Sequence, residues 1–209
     1  MFAPEETDEG LMRRLAAGDR QAFEALIAAH GPAVTRLTSA ILGDGATAQD
    51  AAQEALLSAF RRAATWQADR GPVRPWLLAI ARHEAARHRP ARETTPLDDV
   101  PLAELGARAG WGGDDPERLF AEAEERDRVW WALASLSPTD REVLTLRELE
   151  GLSGDHAAAM LDLELPALKS RLHRARLNLM AALREGRMPM AEKERVEGGL
   201  RCSQVRELL

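Results

Sequence analysis

Apolar residues recur along this chain at intervals of three and four, a period that builds helices and leaves little from which a sheet could form. Leu15, Phe23, Leu26 and Ile27 begin the series, Ala51, Ala55, Leu56 and Phe60 extend it, and Trp76, Leu77 and Ile80 carry it towards Arg92. Each group lines one face of a helix. The alternation of β-branched and polar residues that marks a half-buried strand is nearly absent. The expected fold class is therefore all-α. Breakers divide the first half into a small bundle: "LGDGAT" at 42–47 ends one helix, and "ADRGPVRP" at 68–75 precedes another that is expected to start near Pro75 or Trp76.

The period fails between Pro90 and Glu125, where four prolines and four glycines interrupt the chain. It returns from Arg126 to Arg187. There "SPTDREV" and "LEGLSGDHAA" each set a Ser or Thr beside acidic residues, the composition of a helix start. Two small helical domains are expected, at 1–92 and 126–187, joined by a flexible acidic linker at 93–125 and followed by a tail at 188–209. The 209 residues, 45% hydrophobic and 30% charged, suit a soluble globular chain. No apolar run in the sequence approaches the roughly 20 residues of a membrane span, and the opening "MFAPEETDEG" is acidic where a secretory signal is basic and then apolar. A cytoplasmic protein that does not associate with a membrane is expected. Cys202 is the single cysteine, which excludes an intrachain disulfide and a multi-thiolate zinc site, so neither metal nor cofactor is expected.

The formal net charge is -6, yet it is strongly partitioned. From Phe60 to Arg92, eight arginines face only Asp69 and Glu84; from Leu165 to Arg187, six Lys and Arg face only Glu185. Between them, from Glu93 to Arg126, ten acids face three arginines. Local positive surfaces of this kind govern affinity for phosphate backbones, whatever the whole-chain charge.

The C-terminal basic segment, "LKSRLHRAR" at 168–176, has a geometry as well as a charge. At about 100° per residue, Leu165, Leu168, Leu172, Ala175, Leu179 and Leu183 fall on one stripe, and Ser170, Arg171, His173 and Arg174 fall opposite. Ser153 to Leu161 forms a short preceding helix, "DLELP" a turn, and Pro166 stands in the first turn of the next helix, where its missing donor is harmless. This is the order of a helix-turn-helix, whose second helix enters the major groove.

These residues resemble region 4 of the extracytoplasmic-function group of bacterial RNA polymerase sigma factors, above all in "LSPTDREVLTLRELEGLS" and "LKSRLHRAR". In the first half, "AAGDRQAFEALIAAHGPAVTRLTSAILGD" resembles region 2.1, "AQDAAQEALLSAFRRAATW" region 2.2, and "ADRGPVRPWLLAIARHEAARHRP" regions 2.3 and 2.4. The resemblance implies a sigma factor that binds core RNA polymerase and directs initiation at promoters, acting by binding and not as an enzyme. It assigns Lys169, Ser170, Arg171, His173, Arg174 and Arg176 to the minus-35 element. Trp66, Arg70, Arg74, Trp76 and Arg82 fall to the melted minus-10 strand, which basic grooves and aromatic rings hold. Asp50, Gln53 and Glu54 are assigned to core polymerase. The implied partners are the largest-subunit coiled coil, the flap of the second-largest subunit, promoter DNA and a cognate anti-sigma factor. Three departures from the family pattern bear on promoter choice: "SGDHAAAML" before the turn, Asp162 where Gly is usual, and Glu164 where a Ser or Thr cap is common.

A stand-alone helix-turn-helix regulator is the alternative, but it needs no second module like that at 1–92. "HEAARH" imitates a zinc-protease signature, although His83 and His88 lie five residues apart, about 140° around a helix, and cannot share a metal.

Overall fold

A computed structural model describes residues 7–43, 45–89 and 126–185. The linker expected at 93–125 and the tail at 188–209, with Cys202, lie outside the described residues. The helices are α1 (Asp8–Ala16), α2 (Arg20–Leu42), α3 (Ala46–Arg62), α4 (Val73–His88), α5 (Arg126–Ala134), α6 (Pro138–Leu144), α7 (Gly154–Leu161) and α8 (Leu165–Glu185). Short 3-10 turns at Ala63–Thr65 and Ala68–Arg70 link α3 to α4, and a π turn at Thr145–Leu149 follows α6. Among the described residues there is no strand, as the period required.

The described residues form two compact units that interleave along the chain: 7–89 with 145–162, and 126–144 with 163–185. In the first, α1, α2, α3 and α4 close around Leu11, Met12, Leu15, Ala22, Leu26, Ala63 and Val73, with Phe23, Phe60, Trp66 and Trp76 packed on this cluster. The rings of Phe23 and Phe60 meet at a tilt, their centroids 5.0 Å apart, within the range of favourable aromatic pairs. In the second, Asp140 of α6, buried, accepts a hydrogen bond of 2.8 Å from Asn178 of α8.

Local chemistry sets the helix limits. Thr7 caps α1 by accepting from the Gly10 N–H, Asp19 caps α2 by accepting from Gln21, and Ser153 caps α7 by accepting from His156. Asp19 is held below the usual carboxylate range chiefly by its hydrogen bond from Arg14. Helix α4 starts at Val73, two to three residues earlier than expected, because Pro72 takes the extended cap position after Gly71, whose φ of 128° favours glycine. Helix α2 runs through Pro32; Pro32 and Ala28 are exposed, so the carbonyl that loses its N–H partner faces water.

Helix α2 also narrows one expectation from the sequence. An 18-residue window within its 23 residues reaches a mean hydropathy of 1.2, so by length and composition it could cross a membrane, but half of that window is buried inside the protein. It is a core helix whose Leu26, Val34 and Leu37 are fully enclosed.

Candidate nucleic-acid interface

Helix α8 separates its residue types by burial. Leu168, Leu172, Ala175, Leu179 and Leu183 are buried, while Lys169, Ser170, His173 and Arg176 are exposed and Arg171 and Arg174 half-buried. Leu165, at the helix start, is only half-buried; Leu177 and Ala181 are buried in addition, widening the apolar side beyond the single stripe. The Ser170 hydroxyl donates to the Pro166 carbonyl at 3.1 Å, one turn back in its own helix.

The approach to α8 is set by its turn. Asp162 ends α7 in the left-handed conformation, φ 55° and ψ 46°, the one non-glycine residue with positive φ among the described residues. Asp tolerates this conformation better than most side chains. Two residues later Glu164 accepts the Leu168 N–H at 3.0 Å through its backbone carbonyl, and α8 begins.

The second basic region is built differently. Arg70 is exposed at the end of a 3-10 turn, next to Gly71. Arg74, in the first turn of α4, donates through Nη2 to the Glu150 carboxylate, which also receives Arg36 Nε at 2.7 Å. Trp66 and Trp76 flank the loop as half-buried rings on the apolar cluster, and the Trp66 indole N–H is buried without a partner. Arg82 is half-buried on α4. The structure thus joins Trp66 and Trp76 through one core and ties Arg74 to a carboxylate, while Arg70 stands outermost.

Helix α3 presents Asp50, Gln53 and Glu54 on its exposed side. The Glu54 carboxylate accepts from His88 Nε2 at 3.0 Å in the imidazole form that carries a proton on that nitrogen. Leu57, half exposed, continues that side and was not legible as a site residue. It lines a groove of about 300 Å³ with Glu54, Arg61, Glu84 and Arg87. Burial raises the Glu84 carboxyl, but hydrogen bonds from Arg87 and Ser58 outweigh it and hold the group below its usual range. Of the zinc-protease imitation, His83 is exposed, Glu84 is committed to Arg87, and His88 to Glu54. Among the described residues no three His, Cys, Asp or Glu gather as metal ligands.

Comparison with known proteins matches two stretches of the chain. The family description "Sigma-70 region 2" matches residues 26–94 and "Sigma-70, region 4" matches residues 126–179. The RNA polymerase sigma-H factor of Pseudomonas aeruginosa is 32% identical over 184 residues, 86% of this chain and 95% of the relative. The ECF RNA polymerase sigma-E factor of Escherichia coli is 32% identical over 175 residues, 81% of this chain and 91% of the relative. Among solved structures, CnrH in complex with the cytosolic domain of CnrY superimposes with a TM-score of 0.56 at 26% identity, covering 85% of this chain and 97% of that one. The sigma factor RpoE of Bartonella quintana, in complex with the anti-sigma factor NepR, has the same fold at a TM-score of 0.55 and 20% identity, over 79% of this chain and 98% of that one.

Proposed function

The chain belongs to the sigma-70 family of RNA polymerase sigma factors, in its extracytoplasmic-function group, and from that premise we propose which of its surfaces perform each step of promoter recognition. A sigma factor joins core RNA polymerase and directs it to promoters by reading two DNA elements. Helix α8 is assigned the minus-35 major groove. The observation that supports this is its division into a buried Leu168, Leu172 and Ala175 side and an exposed Lys169, His173 and Arg176 side. Arg171 and Arg174, at the border, have the length to reach guanine edges from the same helix face. With its proton serving the Pro166 carbonyl, the Ser170 oxygen can only accept, so in the groove it suits a base amino group and not a phosphate. Arg176 grips phosphate.

The loop from Trp66 to Trp76 is assigned the melted minus-10 strand. Arg70 makes the first electrostatic contact, and Trp66 and Trp76 anchor the loop to the core while offering the part of each ring left exposed to unstacked bases. Arg74 and Arg82 extend the basic track into α4. Asp50, Gln53, Glu54 and Leu57 form the face of α3 that docks on the largest-subunit coiled coil, an apolar centre with a polar rim. The flap of the second-largest subunit is assigned to the second domain. Domain limits of 1–92 and 126–187 with a charge-bearing linker at 93–125 give each module its own DNA element. The protein acts by binding in the cytoplasm, without cofactor or metal, and an anti-sigma factor is a fitting regulator given the complexes in which its structural relatives occur.

Reconstitution tests the reading. Purified chain mixed with core polymerase and an open promoter library is expected to comigrate with core and to yield transcripts from defined start sites. Absence of both would refute it. A chain that instead bound duplex promoters unaided, with no effect of polymerase, would be a stand-alone regulator.

A further inference from the structure

The Glu150 side chain has no solvent exposure, yet its carboxylate is shared by two arginines remote in sequence. Oε1 accepts from Arg36 Nε at 2.7 Å, and Oε2 accepts from Arg36 Nη2 at 3.4 Å and from Arg74 Nη2. The π turn puts it there: the Glu150 N–H donates to the Thr145 carbonyl at 2.9 Å, and Leu152 to Leu146 at 3.0 Å. Gly151 then takes a φ of 64°, and Arg147 binds the Leu152 carbonyl. A wide turn of this kind projects one residue out of the regular ladder.

The two guanidiniums are not enclosed as the carboxylate is. The Arg36 and Arg74 side chains keep 36% and 37% exposure, so each reaches the surface at the rim of the site. Arg74 Nε is buried without a partner, a donor that the planar carboxylate leaves unused. Beside it, a Cβ at Gly71 would lie 3.7 Å from His156 Nε2, so α7 comes up against the loop that carries Arg70. The ion pairs therefore tie Glu150 of segment 145–162 to α2 and to the start of α4, with α7 close to the loop before α4.

We propose that Arg36 and Arg74 form a seat for a phosphodiester of the promoter strand, and that the Glu150 carboxylate occupies this seat in the free chain as an internal substitute. Arginine pairs bind phosphate and carboxylate through the same forked donors, and phosphate, with more acceptor directions, also satisfies Arg74 Nε. Strand and Glu150 exclude each other. The free chain thus binds single strands weakly, because its affinity is reduced by the fraction of molecules with the seat open, and displacement of segment 145–162 raises it. The inference adds Arg36, a residue of the region 2.1 stretch to which the sequence assigned no contact, to the strand-holding surface; it rests on the assignment of the Trp66–Trp76 loop to that surface.

The test uses the full-length chain without polymerase and a short fluorescent oligothymidine as probe. Glu150→Gln, which keeps shape and removes charge, is expected to tighten binding about tenfold, the scale of a charge-assisted contact released from competition. Adding Arg36→Ala to that variant is expected to abolish the gain. Hydrogen exchange on the wild-type chain reads the same event without any substitution: amides of 145–152 should lose protection when oligothymidine saturates. Unchanged affinity in a folded Glu150→Gln chain overturns the proposal; if that variant does not fold, unchanged protection at 145–152 overturns it. Start-site-specific transcription by wild-type chain and core is scored separately, so its absence would count against the sigma-factor reading, while the oligothymidine and exchange results still decide the seat.

Discussion

The arginines of α8 and the arginines at the start of α4 differ in what places them. On α8 the placement is geometric: Leu168, Leu172 and Ala175 turn inward and set Lys169, His173 and Arg176 at the surface. At α4 it is electrostatic, since Arg74 faces a carboxylate 76 residues away in sequence, which also holds Arg36 from 114 residues away. One basic surface follows from which side of its helix is buried, and the other is built around a buried carboxylate. The lesson is that density of positive charge in a sequence locates a candidate surface, whereas its availability depends on tertiary partners.

Truncating the inward side of α8 should break the comparison most severely. Leu168→Ala, at a site with 1% exposure, is expected to lower stability by about 2–5 kcal/mol in chemical denaturation, and promoter recognition should fall with the folded fraction. Substitution on the outward side should leave stability alone. Arg174→Ala is expected to lose about 1–3 kcal/mol of discrimination at one base of the minus-35 element, read by sequencing promoters selected from a library. Lys169→Ala should act more weakly, lowering affinity evenly across sequences and reducing the slope of log affinity against log salt by about 1. Unequal effects across sequences would move Lys169 from phosphate to base.

The smallest effect concerns a second buried carboxylate. Glu84 is neutralised by Arg87, three residues along the same helix, where Glu150 depends on distant segments. Because Glu84 lies below its usual value of 4.5 when folded, its contribution is fully present above that pH and is lost as pH falls through the depressed value. Thermal melts of Glu84→Gln against wild type should therefore converge in acid. A constant difference between the two across that range would show that the Glu84 contribution is not ionic.

Periodicity in the sequence was enough to specify the helical class and the two sides of α8, and local residue types the Ser153 cap, because each is decided within a few residues. The start of α4 was displaced since Pro72 and Gly71 act together as a cap. The π turn at Thr145–Leu149 escaped notice because nothing in "TLREL" breaks an ordinary helical period. Arg36 and Leu57 were not legible as site residues for the same reason: one gains its meaning from Glu150, the other from a groove shared with α4. Trp66 and Trp76 show the limit of residue type as a guide, since rings suited to base stacking are also the ones that pack on the core cluster of the first unit.

Transcription from one selected promoter, with its upstream or its downstream element scrambled in turn, tests most directly whether two DNA-reading surfaces on one chain act through polymerase. The account predicts that holoenzyme loses the transcript with either scramble and that the chain alone shows no comparable selectivity. A transcript indifferent to both scrambles, or the same selectivity from the chain without polymerase, would contradict it.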